Sequence, residues 1–255
     1  MPDSKKSMLT ARIQKRLRLL KLTSFTEYVN IVLDPNDPHQ ELTNFIDMVT
    51  TNKTDFFREP AHFDFMTKQA LPDLMQRMGA GTQRPLFLWS APCSTGEEPY
   101  TMAMVIKEFA KKFQPNFRAQ ILGSDLSSKA LRAAKNGVYQ LEKASPVPME
   151  LKKKYMLRGK DRTDKRVKMS SEIRSMLALK HLNFMDNDYG VNQTMDIIFC
   201  RNCLIYFDRP TAESIVNKLC RHLAPGGYFF VGHSETLNQL SVPLEQTAPT
   251  IYQKV

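Results

Sequence analysis

The stretch "PLFLWSAPCSTGEEPYTMAM" at residues 85–104 constrains this chain more than any other. A short apolar run, right for a buried strand, passes through a turn with one glycine straight into a helical sequence. The unit recurs. "AQILGSD" at 119–125 reads as a second strand, and the helix expected near 127–136 ends at Gly137. "LALKHLNF", "DIIFCRN" and "GGYFFVGH" supply a third, fourth and fifth strand. Strands alternating with helices predict an α/β fold: a doubly wound, mainly parallel sheet with helices on both faces. Such a sheet binds ligands outside the carboxyl ends of its strands, where the strand order reverses. The turn after the first strand is therefore the first place to look for a site.

The flanking segments follow other rules. Leu9, Ile13, Leu17 and Leu20 recur at helical spacing, as do Leu42, Phe45, Ile46 and Val49, and "LDPNDPHQ" between them reads as a loop. Residues 1–75 are expected to form a helical N-terminal domain, and residues 76–255 the α/β domain. Within the second domain, "LKKKYMLRGKDRTDKRVKMS" at 151–170 breaks the strand–helix rhythm and reads as a hairpin-like insertion around a charged tip.

Charge is uneven. The net charge is +10, with seven Lys/Arg against two acids in residues 1–30 and ten against three in residues 143–168. Such runs are either solvated surface or the face for an acidic partner. No apolar run approaches the roughly 20 residues of a membrane span. The N-terminal residues lack a secretory pattern, so a cytoplasmic protein is expected. Cys200 and Cys203 form a C-x-x-C, but no second pair or histidine pair completes a zinc set. Buried free thiols are the better reading, and no metal is expected.

The turn "APCSTGEE" lacks the several glycines that diphosphate binding needs. Instead Glu97 and Glu98 stand at the helix start. Helix-dipole stabilisation accounts for Glu97. The pair together suits a cationic ligand, and S-adenosylmethionine, with its sulfonium and ammonium charges, is one such cofactor. Asp125 closes the second strand, where an acid commonly accepts ribose hydroxyls. In "TTNKTDFFREP", Asn52, Thr54 and Arg58 are polar beside two phenylalanines. An ordinary capped helix start explains that stretch equally well. Arg201 and Asn202 in "FCRNCLIYF" lie where the fourth strand ends, with Tyr206 shortly after. The Asn/Asp-Pro-Pro-aromatic stretch common in amino-group methyltransferases is missing there, which argues against a base or amine acceptor and against nucleic acid as partner.

Taken in order, "TTNKTDFFRE", "WSAPCSTGEEPYT", "GSDLS", "IFCRNCLIYFD" and "APGGYFFVGHSE" resemble the bacterial chemotaxis receptor methyltransferases, the CheR family. The resemblance covers nearly the whole chain. It implies a protein-glutamate O-methyltransferase with a Rossmann-like fold that uses S-adenosylmethionine, leaves S-adenosylhomocysteine and acts on the cytoplasmic helical domains of receptors, with no insertion into the membrane. It implies that Asn52, Thr54, Arg58, Glu98, Asp125, Asn183, Phe184, Arg201 and Asn202 contact the cofactor, and that Arg58 and Tyr206 line the methyl-transfer site. It also implies that the basic first helix, with Arg12, Lys15, Arg16 and Arg18, faces the receptor. Residues at about 145–180 resemble a small three-stranded β-subdomain that, in some members, grips a receptor C-terminal pentapeptide. Two features depart from the family. The N-terminus is short, and the tip "KDRTDK" is charged rather than glycine-rich, so tethering stays open.

Overall fold

The structure, a computed structural model, describes residues 3–38, 40–50, 52–113, 117–161 and 163–255. Three helices come first: α1 (Asp3–Leu20), α2 (Phe25–Val32) and α3 (Glu41–Val49). Ser24 and Glu27 form a reciprocal capping box that starts α2. The three helices bury Leu17, Tyr28 and Val32 against one another. Beside that small core the Glu41 carboxylate is almost fully enclosed. It accepts two hydrogen bonds from Arg16, each 2.6 Å, and one from the Tyr28 hydroxyl at 2.9 Å. A buried carboxylate persists only when so paired.

Helices α4 (Pro60–Phe65) and α5 (Leu71–Met78) follow, joined by a wide π turn at Met66–Ala70. They differ from the first three in where they bury their side chains. Phe56, Phe63, Met66, Leu71 and Leu74 belong to the core of the large sheet. The expected grouping of residues 1–75 as one helical domain cuts across this packing.

The main sheet is built from β1 (Leu86–Ser90), β2 (Ala119–Asp125), β6 (Leu177–His181), β7 (Met195–Cys200), β8 (Leu223–Val231), β9 (Leu244–Ala248) and β10 (Ile251–Lys254). Its order is β6-β2-β1-β7-β8-β10-β9. β1 pairs in parallel with β2 on one side and β7 on the other, so the strand order reverses between β1 and β7. Every residue of β7 is buried, as expected of a parallel strand covered on both faces. The cover comes from α6 (Glu97–Ala110), α7 (Ser128–Asn136) and α10 (Arg209–Arg221). Ser127 caps α7 and left-handed Gly137 ends it; Asp208 caps α10. β10 runs antiparallel to both β8 and β9, and this closing hairpin is absent from the five-strand sequence reading. Only Ile251 and Tyr252 of these strands are fully buried, so their apolar alternation is faint.

A second sheet joins β3 (Val138–Gln140), β4 (Met156–Arg158) and β5 (Arg166–Met169) in the antiparallel order β3-β5-β4, with α8 (Met149–Tyr155) and α9 (Ser171–Arg174) beside it. It therefore begins earlier than the insertion expected at about 145–180, and Leu177–His181 pairs with β2 in the main sheet instead. The polar tip lies between β4 and β5; its Arg162 is outside the described residues.

Candidate active site

The turn after β1 closes on Gly96, whose φ is +98°. A Cβ at this position would come within 2.9 Å of both the Ala134 Cβ and the Tyr139 hydroxyl, so the turn needs glycine on two counts. Glu97 then points inward. Thr95 Oγ1 donates to it at 2.6 Å and the Lys143 ammonium lies 4.0 Å away, while burial pushes its pKa up. Glu98 faces the switch point. It accepts from Ser90 Oγ at 2.7 Å and meets Arg201 at 3.3 Å. Burial still wins over Arg201 and raises the Glu98 pKa. Asp125, at the end of β2, accepts from the backbone N–H groups of Ser94 and Ser127, both at 2.8 Å, and burial raises its pKa too. Three desolvated carboxylates therefore crowd one turn, and two of them, Glu98 and Asp125, line the cleft beside it.

Arg201 emerges from β7 fully enclosed. It donates to the Arg58 carbonyl at 2.6 Å, lies 3.0 Å from Glu59, and sits over the rings of Phe63 and Phe199. Asn202 follows with φ +58° and donates through its side chain to Glu59 at 3.1 Å. Burial alone would raise the Glu59 pKa, but Arg201 and Asn202 outweigh it and lower it. Behind Glu59, burial and the Arg201 charge push His62 down to about 4. Four residues without the glycine excuse hold left-handed backbone here: Phe57 (+53°), Glu59 (+58°), Ser94 (+48°) and Asn202 (+58°).

The loop after β7 is held by a residue to which the sequence reading assigns no role. The buried Glu235 carboxylate accepts from the N–H groups of Asn202 (2.7 Å), Leu204 (2.7 Å), Ile205 (3.4 Å) and Gly232 (2.6 Å). Its only sequence signal is an acid just beyond an apolar strand. Lys143 is a second such residue. Its ammonium donates to the Thr54 carbonyl and to Asp55 at 2.7 Å, tying the 52–58 segment to the small sheet's first loop.

Two adjoining clefts result. The first is lined by Asn52, Thr54, Arg58, Glu98, Asp125, Arg201 and Asn202 among others. The second, of about 620 Å³, is lined by Leu182, Asn183, Phe184, Cys203, Tyr206 and Phe207 among others. Asn52, Pro92, Asp125 and Asn202 border both. Every residue expected to touch cofactor or substrate lies along this one trough. The Arg58 side chain is 38% exposed and Tyr206 53%, and Lys53 and Met185 are also exposed along the same trough.

The four basic residues of α1 lie elsewhere and divide in two. Arg12 donates to the Met48 carbonyl at 2.7 Å, and Arg16 is committed to Glu41. Lys15 and Arg18 are exposed. Of the four residues expected to face the receptor, Arg12 and Arg16 are thus half-buried and hydrogen-bonded within the helical end, while Lys15 and Arg18 are open to solvent. The four cysteines are buried free thiols, with the Cys200 and Cys203 sulfurs 3.5 Å apart.

The trough suits a zwitterion that carries one further positive charge. It offers two guanidinium groups for a carboxylate and two desolvated carboxylates for cations. Among the described residues, the buried Ser94 hydroxyl and Arg201 Nε also have no protein partner. The residues present thus fit S-adenosylmethionine better than a diphosphate.

Comparison with known proteins gives the same answer. The profile described as "CheR methyltransferase, SAM binding domain" matches residues 52–252, and "CheR methyltransferase, all-alpha domain" matches residues 1–50. A chemotaxis protein methyltransferase of Borreliella burgdorferi is 35% identical over 252 residues, 99% of this chain and 87% of that one. Chemotaxis protein methyltransferase 2 of Pseudomonas aeruginosa is 37% identical over 98% of this chain and 85% of its own. The chemotaxis protein methyltransferase of Salmonella typhimurium is 33% identical, with coverage of 98% and 83%.

Proposed function

The chain belongs to the CheR methyltransferase family, and from that premise we propose that it esterifies glutamate side chains of chemotaxis receptors. It is an S-adenosylmethionine-dependent methyltransferase of chemotaxis. The observation that carries the finer reading is the division of the trough: enclosed carboxylates and Arg201 on one side, half-exposed Arg58 and exposed Tyr206 on the other.

When bound, S-adenosylmethionine supplies a methyl group already activated by its sulfonium. Glu98 and Asp125 would hold the cofactor's ammonium and ribose, with Arg201 balancing their charge. Asn183 and Phe184 line the apolar end, which suits adenine. The acceptor glutamate needs no base, because a model glutamate titrates at about 4.3 and is ionised at neutral pH. What the protein adds is orientation and removal of water, which can be worth roughly 7–11 kcal/mol. Arg58 meets the incoming carboxylate. Its Nε is 3.9 Å from Glu59, so part of its charge is already engaged, and it steers the nucleophile without quenching it. Tyr206 lines the acceptor side.

Lys15 and Arg18 form the docking surface for acidic receptor helices. The outer edge of β4, with exposed Leu157, is where a receptor C-terminal peptide would add a strand. The proposed location is the cytoplasm, and among the described residues no helix is long and apolar enough to cross a membrane.

Transfer of a labelled methyl group to isolated receptor cytoplasmic domains, followed by mild alkali, tests the proposal. Label that enters the receptor and leaves with alkali is a carboxyl ester. Alkali-stable label overturns the glutamate assignment and points to an amine or ring acceptor.

A further inference from the structure

Glu59 and His62 lie behind Arg201 and line neither cleft. Their hydrogen bonds leave an anomaly. Thr250 Oγ1 donates to the Pro249 carbonyl at 2.6 Å, so it accepts from His62 Nε2 at 2.8 Å. With the Thr250 hydroxyl proton on the Pro249 carbonyl, the ring proton sits on Nε2 and Nδ1 is a lone pair; turning that hydroxyl to Nε2 instead puts the ring proton on Nδ1, facing Glu59. In the first arrangement that lone pair faces Glu59 Oε2, another acceptor, at 3.5 Å. Both atoms are buried, and neither makes a well-aligned hydrogen bond among the described residues; Arg201 approaches Oε2 to 3.0 Å off the hydrogen-bond line, and the His233 backbone N–H also favours the charged Glu59 carboxylate. Two opposed acceptors repel unless something positive stands between them. A third donor is close. His233, exposed just past the end of β8, packs edge-on against His62 with ring centroids 5.2 Å apart. One ligand atom from each of Glu59, His62 and His233 falls within 4.8 Å of the others.

We propose that Glu59 Oε2, His62 Nδ1 and His233 form a site for a divalent transition-metal cation of the zinc class, placed to act as a brake on methyl transfer. Two imidazoles and a carboxylate with one open position are a recurrent zinc set. Bonds of about 2.0–2.1 Å in a tetrahedron put ligand atoms roughly 3.4 Å apart, close to the His62–Glu59 separation. His233 closes the remaining gap by turning about its side chain, and its exposure provides the entry path. The outer bond from His62 Nε2–H to Thr250 is the kind that orients metal-bound imidazoles. Arg201 opposes the ion, so binding must draw Glu59 away from it. Glu59 also anchors the Asn202 side chain. Occupancy thus loosens two residues of the cofactor trough at once.

The test is zinc titration of the full chain against a chromophoric chelator, beside turnover with and without added zinc. One ion per chain is expected, with affinity falling tenfold or more in His233→Gln and in His62→Gln. His233 is exposed, so its variant keeps the test alive should the buried His62 variant fail to fold. Zinc should slow the wild type, chelator should restore it, and His233→Gln should keep its metal-free rate and lose the sensitivity. Zinc affinity unchanged in His233→Gln, as when the Cys200–Cys203 pair holds the ion, overturns the site. Zinc bound through His233 with turnover unaffected overturns the brake.

Discussion

Replacing Glu235 by glutamine should damage stability and cofactor binding together. The carboxylate divides its work: Oε1 receives Leu204 and Ile205, while Oε2 receives Asn202 and Gly232. The amide keeps one acceptor oxygen and turns an NH2 toward the other two donors. Each buried donor left unmatched costs about 1–3 kcal/mol, so two cost about 2–6, with a middle value near 4. For a chain of this size, 1 kcal/mol moves Tm by roughly 2–4 °C, so a fall of about 8–16 °C is expected. Asn202 loses its backbone anchor in the same step, so S-adenosylmethionine affinity should fall too. Urea unfolding gives the first number and calorimetric cofactor titration the second. A loss under about 1 kcal/mol, within the ordinary range for a substitution, with unchanged affinity would refute the reasoning.

Arg16→Ala should destabilise the chain by about 3 kcal/mol, because it leaves Glu41 buried without its partner; unfolding within 0.5 kcal/mol of wild type, about the effect of an ordinary surface change, contradicts this. Lys15→Glu with Arg18→Glu should leave stability alone and cut receptor methylation at low salt, with the difference fading as salt rises; equal rates at all salt concentrations remove the docking role. Arg58→Ala should lower turnover about 10²-fold with an unchanged Tm, as for a lost orienting group; normal turnover at saturating cofactor sinks it. Glu98→Gln tests burial through pH. The Glu98 pKa is raised in the folded state, so between the unfolded and folded values the native state holds the extra proton, and stability falls as pH rises through that window. Above that window the buried carboxyl therefore opposes folding. The amide should raise Tm there, the gain should vanish once pH falls below about 4.3, and cofactor binding should be lost. A Tm difference independent of pH would mean that burial is not the cause.

The α/β core was legible because its signals are local. β1, β2, β7 and β8 each carry a short apolar stretch (LFLW, IL, IIFC, YFFV) closed by a small or polar residue, and Gly96 and Gly137 mark the turns that need them. Asn52, Glu98, Asp125 and Arg201 were visible as polar residues at strand ends or beside aromatics. Less legible was what depends on partners distant in sequence. Nothing in "LTARIQKRLRLL" tells Arg16 from Arg18; the difference is Glu41, which lies in another helix. Nothing near Glu235 names the four N–H groups it collects, and nothing near Lys143 names Thr54. The β9–β10 hairpin stayed hidden because a half-exposed edge mixes polar and apolar residues on both faces. The insertion boundary was missed because Val138–Gln140 is too short for a periodic signal.

The left-handed backbone at Phe57, Glu59, Ser94 and Asn202 bears on any attempt to make this protein heat-resistant. Each such residue costs the fold roughly 1–2 kcal/mol that glycine would not. Glycine at any of them relaxes the chain and deletes a side chain the trough uses or leans on. Thermal endurance and turnover thus pull these four positions in opposite directions. Selection for ruggedness alone would erode them first, and a tougher variant that still works has to find its gains elsewhere, in the exposed loops of the helical end and the small sheet.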